Sequence, residues 1–480
     1  MEWIERHWPE VVGLLGVLMS VLATTHVLVS PRDVRSANGW VAVILLSPIV
    51  GPILYVLLGI NRIHRKAVAL RGEVARAQGA IQGTPAGAGE VARHLDGHAY
   101  LADLAVAVTR VTGRPLVPGN TIEPLVDGDQ AYPAMLDAIA GAERSITLMT
   151  YIFDVDSVGR RFVDALAAAV ARGVEVRVLI DAAGARYHRP PAHRVLAARG
   201  MRAALFLPLR VSFPRYFNLR NHRKVIVVEG RIGFTGGMNI RAGHWIGEHP
   251  AVPVRDVHFQ IEGPVVAHLQ DVFAEDWEFA TGERLRGEPW FAPAVPRGDV
   301  LARGIDEGPD DEVDPLPWTI LSALATARQR IRVVTPYFLP DPPYLAALNV
   351  AALRGVQVDV VLPSKSNIWI VDWATRATLW QLMDRGVRIW QTPPPFDHAK
   401  LMTVDGAWSL LGSANWDPRS LRLNFEFDVE AYSEPLAAAI DRLIDERVAH
   451  ATRLERGDLE RRTLPRRLGD GAARLMVPYL

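Results

Sequence analysis

One spaced set of residues occurs twice in this chain, and it restricts the fold more than any other feature. Asn221-His222-Arg223-Lys224 leads through Glu229-Gly230 to Gly236-Gly237-Met238-Asn239, and Asp397-His398-Ala399-Lys400 leads through Asp405-Gly406 to Gly412-Ser413-Ala414-Asn415. Histidine to lysine spans two residues in both copies, lysine to the small-residue pair twelve, and histidine to asparagine seventeen. Of 53 basic residues only Lys66, Lys224, Lys365 and Lys400 are lysine, and two of those four hold the paired positions. The flanking pattern repeats as well. Ser145 to Phe153 reads as a strand, Gly159 to Arg172 as a helix and Val174 to Ile180 as a strand; Arg330 to Phe338, Pro343 to Arg354 and Val356 to Leu362 repeat that order, and Thr150-Tyr151 answers Thr335-Pro336-Tyr337. A strand–helix–strand unit met twice predicts an α/β fold of two duplicated lobes with mixed, partly parallel sheets.

Each copy predicts a strand that opens with the histidine and lysine on one face and closes at an acid–glycine turn. A returning strand then delivers small residues and an asparagine beside them. That grouping suits phosphoryl transfer. A neutral imidazole can attack a phosphodiester to give a phosphohistidine, and dividing the exchange into two displacements conserves the ester's free energy without a nucleotide. The second histidine, charged at that moment, protonates the leaving alkoxide and then takes a proton from the incoming alcohol. Lys224 and Lys400, with Asn239, Ser413 and Asn415, are the candidates for holding the phosphate oxygens. His188, His193, His244 and His258 lack ligand spacing and no carboxylate cluster suits Mg²⁺ or Ca²⁺, so neither metal nor cofactor is expected. Formal net charge is zero, which offers no global attraction to nucleic acid, and the absence of cysteine excludes disulfides.

Hydrophobic residues make up 49% of the chain and mean hydropathy is +0.09, with the excess at the start. Val11 to Val29 and Trp40 to Ile60 each approach the roughly 20 residues that cross a bilayer, the second interrupted by Pro48, Gly51 and Pro52. Residues 1–66 are therefore expected to form a transmembrane helical hairpin. Arg6, Arg62, Arg65, Lys66 and Arg71 outweigh Arg32 and Arg35 of the intervening gap, which predicts both ends and the lobes on the cytoplasmic side. Residues 67–120 read as a linker containing Gly79, Gly83, Pro85, Gly87 and Gly89, with a helix from Tyr100 to Val111. Residues 121–296 form the first lobe, 297–317 an acidic inter-lobe linker, and 318–480 the second lobe with a helical tail. That tail carries Arg461, Arg462, Arg466 and Arg467, which can meet anionic headgroups. Trp369, Trp373 and Trp380, with Ile368 and Ile370, predict either a core-packing helix or a bilayer contact.

The repeated motif resembles the signature of the phospholipase D superfamily. The residues around it resemble that superfamily's bacterial cardiolipin synthase branch: Leu219 to Lys224, Thr235 to Ile240, Arg255-Asp256-Val257-His258, and Gly412 to Asn415 with Asp417, Arg419-Ser420, Asn424 and Glu426. The resemblance implies two sheet-based lobes packed face to face over one site at their junction. It implies that His222, Lys224 and Glu229 of one repeat and His398, Lys400 and Asp405 of the other are the catalytic motif, with His222 as nucleophile and His398 as acid and base. Asp256 and Glu426 would each orient the histidine of the opposite lobe. Glu229 departs from the family pattern, which has Asp there; an acid that only fixes the turn tolerates the longer side chain, whereas one in contact with the site would not.

The implied activity is phosphatidyl transfer between two phosphatidylglycerol molecules with release of glycerol, by a multi-pass enzyme of the inner, cytoplasmic membrane whose partners are phospholipids. A phospholipase D-type hydrolase or phosphodiesterase shares the same residues. A catalytically impaired lipid-binding scaffold would follow if Glu229 disabled the first repeat.

Overall fold

The computed structural model describes residues 2–30, 34–56, 85–208, 219–309 and 314–477. The chain divides into two compact units, Met1–Ala67 and Val68–Leu480.

In the first unit, helix Glu2–Val29 contains the one stretch among the described residues that is long and apolar enough to cross a membrane, Glu10–Val29. The second apolar segment is not a continuous helix. Helix Val34–Leu46 ends before Pro48, and a short helix, Val50–Leu54, follows. Proline lacks the N–H that would continue the ladder, so the break falls where Pro48 and Pro52 interrupt the apolar run. Ser20 Oγ donates to the Pro48 carbonyl at 3.0 Å, which occupies an acceptor the break leaves free. The cations Arg62, Arg65, Lys66 and Arg71 and the spacer glycines Gly79 and Gly83 lie outside the described residues.

The second unit is built on one hydrogen-bonded path of strands with internal two-fold repetition. From one edge inward run Arg202–Phe206, Glu175–Asp181, Ser145–Thr150, Val225–Val228, Ile232–Gly236, Val257–Glu262 and Val117–Val126. The other half repeats that order as Arg388–Thr392, Gln357–Pro363, Arg330–Val334, Leu401–Val404, Trp408–Gly412, Asn424–Tyr432 and Val300–Glu307. In each half the outer three strands are parallel and the rest antiparallel. The halves join where Val117–Val126 pairs antiparallel with Val300–Glu307.

The stretch read as the inter-lobe linker contributes a strand to the sheet, and the helix expected at Tyr100 to Val111 packs on the globular unit. Val300–Glu307 lies within 297–317 yet forms a central strand, because Arg303 is buried in a pair with Glu430 and its backbone ladders on both sides. Helix Leu101–Thr112, ahead of the first lobe in sequence, packs its apolar face into the core of the second half. Arg303 holds it there by donating to the Thr109 hydroxyl and the Ala105 carbonyl.

Apolar residues from both halves meet in a shared core. Val225, Val227, Leu401, Leu411 and Phe425 close over it together with helices Val266–Thr281 and Glu434–His450. The histidine motifs lie above that core, one from each half.

Candidate active site

Each histidine is fixed by the opposite half of the molecule. The short strand Arg220–Asn221 pairs in parallel with Asn424–Phe425, and His222 N–H donates to the Phe425 carbonyl at 2.9 Å. Phe396–Asp397 pairs likewise with Val254–Arg255, and His398 N–H donates to the Arg255 carbonyl at 2.7 Å. Phe425 and Arg255 immediately precede Glu426 and Asp256, so the backbone pairing sets each acid against the crossing histidine. His222 Nδ1 lies 2.9 Å from Glu426 Oε2, and His398 Nδ1 lies 2.9 Å from Asp256 Oδ2. The strands expected to carry His and Lys begin one residue after each lysine, at Val225 and Leu401.

Buried ion pairs support both motifs, with the charges exchanged. Arg223 is fully buried and donates to Asp276 of helix Val266–Thr281 at 2.8 Å, while Asn221 donates to the same carboxylate. In the other copy the acid is on the motif: Asp397 accepts from Arg447 of helix Glu434–His450 at 2.7 Å.

Both histidines line a cavity of about 430 Å³, within the range of small-ligand sites. Asn239 and Asn415 line it too, as do Tyr151, Tyr337, His244 and Asp417. The two tyrosines occupy matching places, Tyr151 edge-on to His222 and Tyr337 edge-on to His398. The sequence displayed them only as markers of the duplication; that each follows the first strand of its strand–helix–strand unit was the available signal. No spacing indicated His244.

Lys224 and Lys400 are buried beneath the cavity, each ammonium donating to the carbonyl of its own histidine. Lys400 Nζ also lies 3.0 Å from the imidazole of His398, a contact without a counterpart between Lys224 and His222 among the described contacts. Burial disfavours the ammonium and lowers Lys224 to about 7 and Lys400 to about 8, against the attraction of Glu426 and Asp256. Burial also lowers His222, to about 4, although Glu426 opposes the shift. His398 falls well below its ordinary value through burial and then the neighbouring Lys400 and Lys224. Burial thus favours the neutral form of both imidazoles. The two acids differ. Asp256 is raised to about 6 by burial, whereas the attraction and hydrogen bond of His222 hold Glu426 below its ordinary value.

Three of the expected site residues sit elsewhere or do other work. Glu229 and Asp405 are not among the cavity-lining residues; each closes the far end of its motif strand, about 16 Å of extended chain beyond the lysine. Glu229 Oε1 accepts from the N–H groups of Glu143, Arg144 and Ser145 at 2.8–3.0 Å. Asp405 accepts from Arg328, Gln329 and Arg330 at 2.7–2.8 Å. Both acids have positive φ, 58° and 53°, and each is followed by a positive-φ glycine, which makes the tight turn that the Arg231 and Ala407 N–H groups close on the Val228 and Val404 carbonyls. The acid at this position anchors the entry to the neighbouring strand, so Glu and Asp are interchangeable in kind.

Ser413 likewise does not line the cavity. Its hydroxyl donates to Glu426 Oε2 at 2.6 Å and accepts from Phe427 N–H at 3.0 Å. It is a positioning residue for the acid that orients His222. The matching Gly237 cannot carry a side chain, since a Cβ there would lie 2.3 Å from Asp256 Oδ1.

The family described as "Cardiolipin synthase, PLD-like domain" matches residues 135–277 and 320–448, and "Phospholipase_D-nuclease N-terminal" matches residues 18–59. Cardiolipin synthase A of Pseudomonas putida is 33% identical over 489 residues, covering 99% of this chain and 100% of that protein. Cardiolipin synthase 1 of Bacillus cereus is 29% identical, covering 98% and 94%. Among solved structures, phosphatidylserine synthase of Haemophilus influenzae superposes with a TM-score of 0.60 at 14% identity, over 79% of this chain and 100% of that one, which is a likeness of fold. The chain belongs to the phospholipase D-like cardiolipin synthase family.

Proposed function

We propose that this protein transfers a phosphatidyl group from one phosphatidylglycerol to another, releasing glycerol and forming cardiolipin. The reading is carried by one observation: two histidines from opposite halves face one cavity, each backed by a buried carboxylate from the half it does not belong to. Two neutral-to-charged imidazoles on either side of a phosphorus atom are what a double displacement requires.

In the first step His222 Nε2 attacks the phosphorus of a phosphatidylglycerol, and the bond from phosphorus to the glycerol oxygen breaks. Protonated His398 gives that oxygen its proton, and glycerol leaves. In the second step neutral His398 takes the proton of a headgroup hydroxyl on a second phosphatidylglycerol. The resulting oxygen attacks phosphorus, the P–N bond breaks, and His222 is regenerated. His222 suits the nucleophile because Glu426 stays ionised and holds its Nδ1–H, presenting the Nε2 lone pair. His398, with Lys400 beside its ring, suits the proton carrier, since the approaching phosphate supplies the negative charge that lets it protonate. Lys224, Lys400, Asn239 and Asn415 hold the non-bridging oxygens.

Residues 1–66 would anchor the enzyme in the inner membrane through two apolar segments. The excess of cations flanking the two segments supports a cytoplasmic position for the catalytic unit. The purified full chain in vesicles containing headgroup-labelled phosphatidylglycerol should release glycerol and cardiolipin in equal amounts. Release of glycerol with phosphatidic acid and no cardiolipin would show water as acceptor and overturn the transferase reading.

A further inference from the structure

The C-terminal helix Leu464–Leu475 is amphipathic in the wrong sense for a helix that only packs on its own domain. Gly469, Asp470 and Ala473 face the protein, and Gly469 comes close enough to Trp373 that a Cβ would lie 3.1 Å from its ring. Leu464, Leu468 and Leu475 form a separate stripe turned outward, and they are 67, 65 and 78% exposed. A globular helix places its leucine stripe inward. The adjoining helix Trp369–Met383 adds indoles to that outward surface. It buries Val371, Ala374, Leu379 and Leu382 and leaves Trp369 and Trp380 62 and 46% exposed. The tryptophan cluster is thus not core.

Charge lies beside this apolar surface. Between Arg461 and Val477 there are five arginines and one acid, in a chain whose formal net charge is zero. A cleft of about 360 Å³ between these two helices and the short helix Arg456–Glu460 is lined by Trp380, Arg462, Arg467 and Arg474 and by the acids Asp470 and Glu460, the latter paired with Arg456. Arg462 shares Asp470 and leaves its Nε without a hydrogen-bond partner. Arg467 and Arg474, one face of the helix and two turns apart, have no carboxylate partner among the described residues. The same helix start leads to the active site, since Ile368 and Val371 line its cavity.

We propose that these two helices are a docking surface for an anionic phospholipid bilayer. The leucine stripe and Trp369 and Trp380 enter the acyl boundary, and the arginine-lined cleft takes the phosphodiester of an anionic headgroup. The occupant follows from charge complementarity together with exposed aliphatic and indole side chains on one surface, the combination that holds an interfacial helix. Docking there brings the mouth at Ile368 to the depth where a lipid phosphate lies. The leucine stripe and the arginine-lined cleft are formed by residues other than those of the histidine motifs.

The chain has no cysteine, so a single label can be placed without altering other positions. Full-length Leu468→Cys, carrying an environment-sensitive fluorophore, is reconstituted into nanodiscs of phosphatidylglycerol with phosphatidylcholine, or of phosphatidylcholine alone. Glu123→Cys, on an exposed strand position, serves as the reference. In the anionic discs the Leu468→Cys label shifts to shorter wavelength and is quenched by acyl-chain nitroxides, and the reference label does neither. Replacing Arg467 and Arg474 by Gln weakens docking roughly thirtyfold, at about 1 kcal/mol for each arginine near the surface. A label that stays in water in anionic discs overturns the proposal. So does shielding of equal size in phosphatidylcholine, or shielding without nitroxide quenching, either of which assigns the stripe to another part of the chain or a second copy.

Discussion

Glu426 stands 204 residues beyond His222 in the chain, yet its Oε2 lies 2.9 Å from His222 Nδ1 and accepts the Ser413 hydroxyl at 2.6 Å. The acid is fully buried and kept ionised by the histidine and by Lys224. It fixes the ring orientation and the tautomer of the proposed nucleophile. Replacing Glu426 by Gln keeps the shape and removes the charge, so kcat should fall on the order of 100-fold with KM little changed. Single-turnover formation of the phosphohistidine is the measurement, and an unchanged rate would refute the role. Ser413→Ala should give a smaller loss in the same step, rescued in part by Ser413→Thr.

Glu229 should behave as a stability residue. Glu229→Ala leaves three N–H groups to water or to nothing, and because two of them are exposed the cost is about 1–2 kcal/mol. Thermal unfolding should shift downward while kcat per folded molecule stays constant, and Glu229→Asp should retain most of the stability. A loss of kcat at full folding would return Glu229 to the chemistry.

Lysine titration should couple anion binding to proton uptake. Burial lowers Lys224 to about 7 and Lys400 to about 8, so above those values the empty site loses its ammonium charges. A bound dianion restores them, and protons enter with the anion; affinity must then fall as pH rises above 8, by up to about tenfold per pH unit for each lysine. Sulfate, whose charge is constant there, is the probe. Calorimetry at pH 8.5 in buffers of different ionisation heat should show net uptake, and release of protons would contradict the assignment.

The exchanged ion pairs under the motifs should be stabilising only as pairs. Arg447→Met leaves Asp397 charged in a buried place, at a cost of about 3–5 kcal/mol. Arg447→Met combined with Asp397→Asn should recover much of that loss in a denaturation experiment. An Arg447→Met protein as stable as the parent would show that Asp397 is protonated or solvated instead.

The duplication, the alternation of strands and helices, and the reactive residue types were legible in the sequence because spacing and side-chain chemistry are local properties. So was the cross-lobe pairing of Asp256 with His398 and Glu426 with His222, through family resemblance. The sequence placed the acids at 229 and 405 at the acid–glycine turn that closes each strand but left open whether they also touch the site; only the tertiary structure shows each carboxylate taken up by backbone N–H groups at the entry to the neighbouring strand. The sequence also assigned Ser413 to phosphate, because only packing shows that its hydroxyl is consumed by Glu426. The stretch around Val300–Glu307 read as a linker from its acidic and Pro/Gly-rich surroundings, while the tertiary structure makes it a central strand by burying Arg303 against Glu430. The outward face of the leucine stripe was equally undecided. Periodicity fixes which residues share a face of a helix, but only the position of Trp373 over Gly469 decides which face is left to the surroundings.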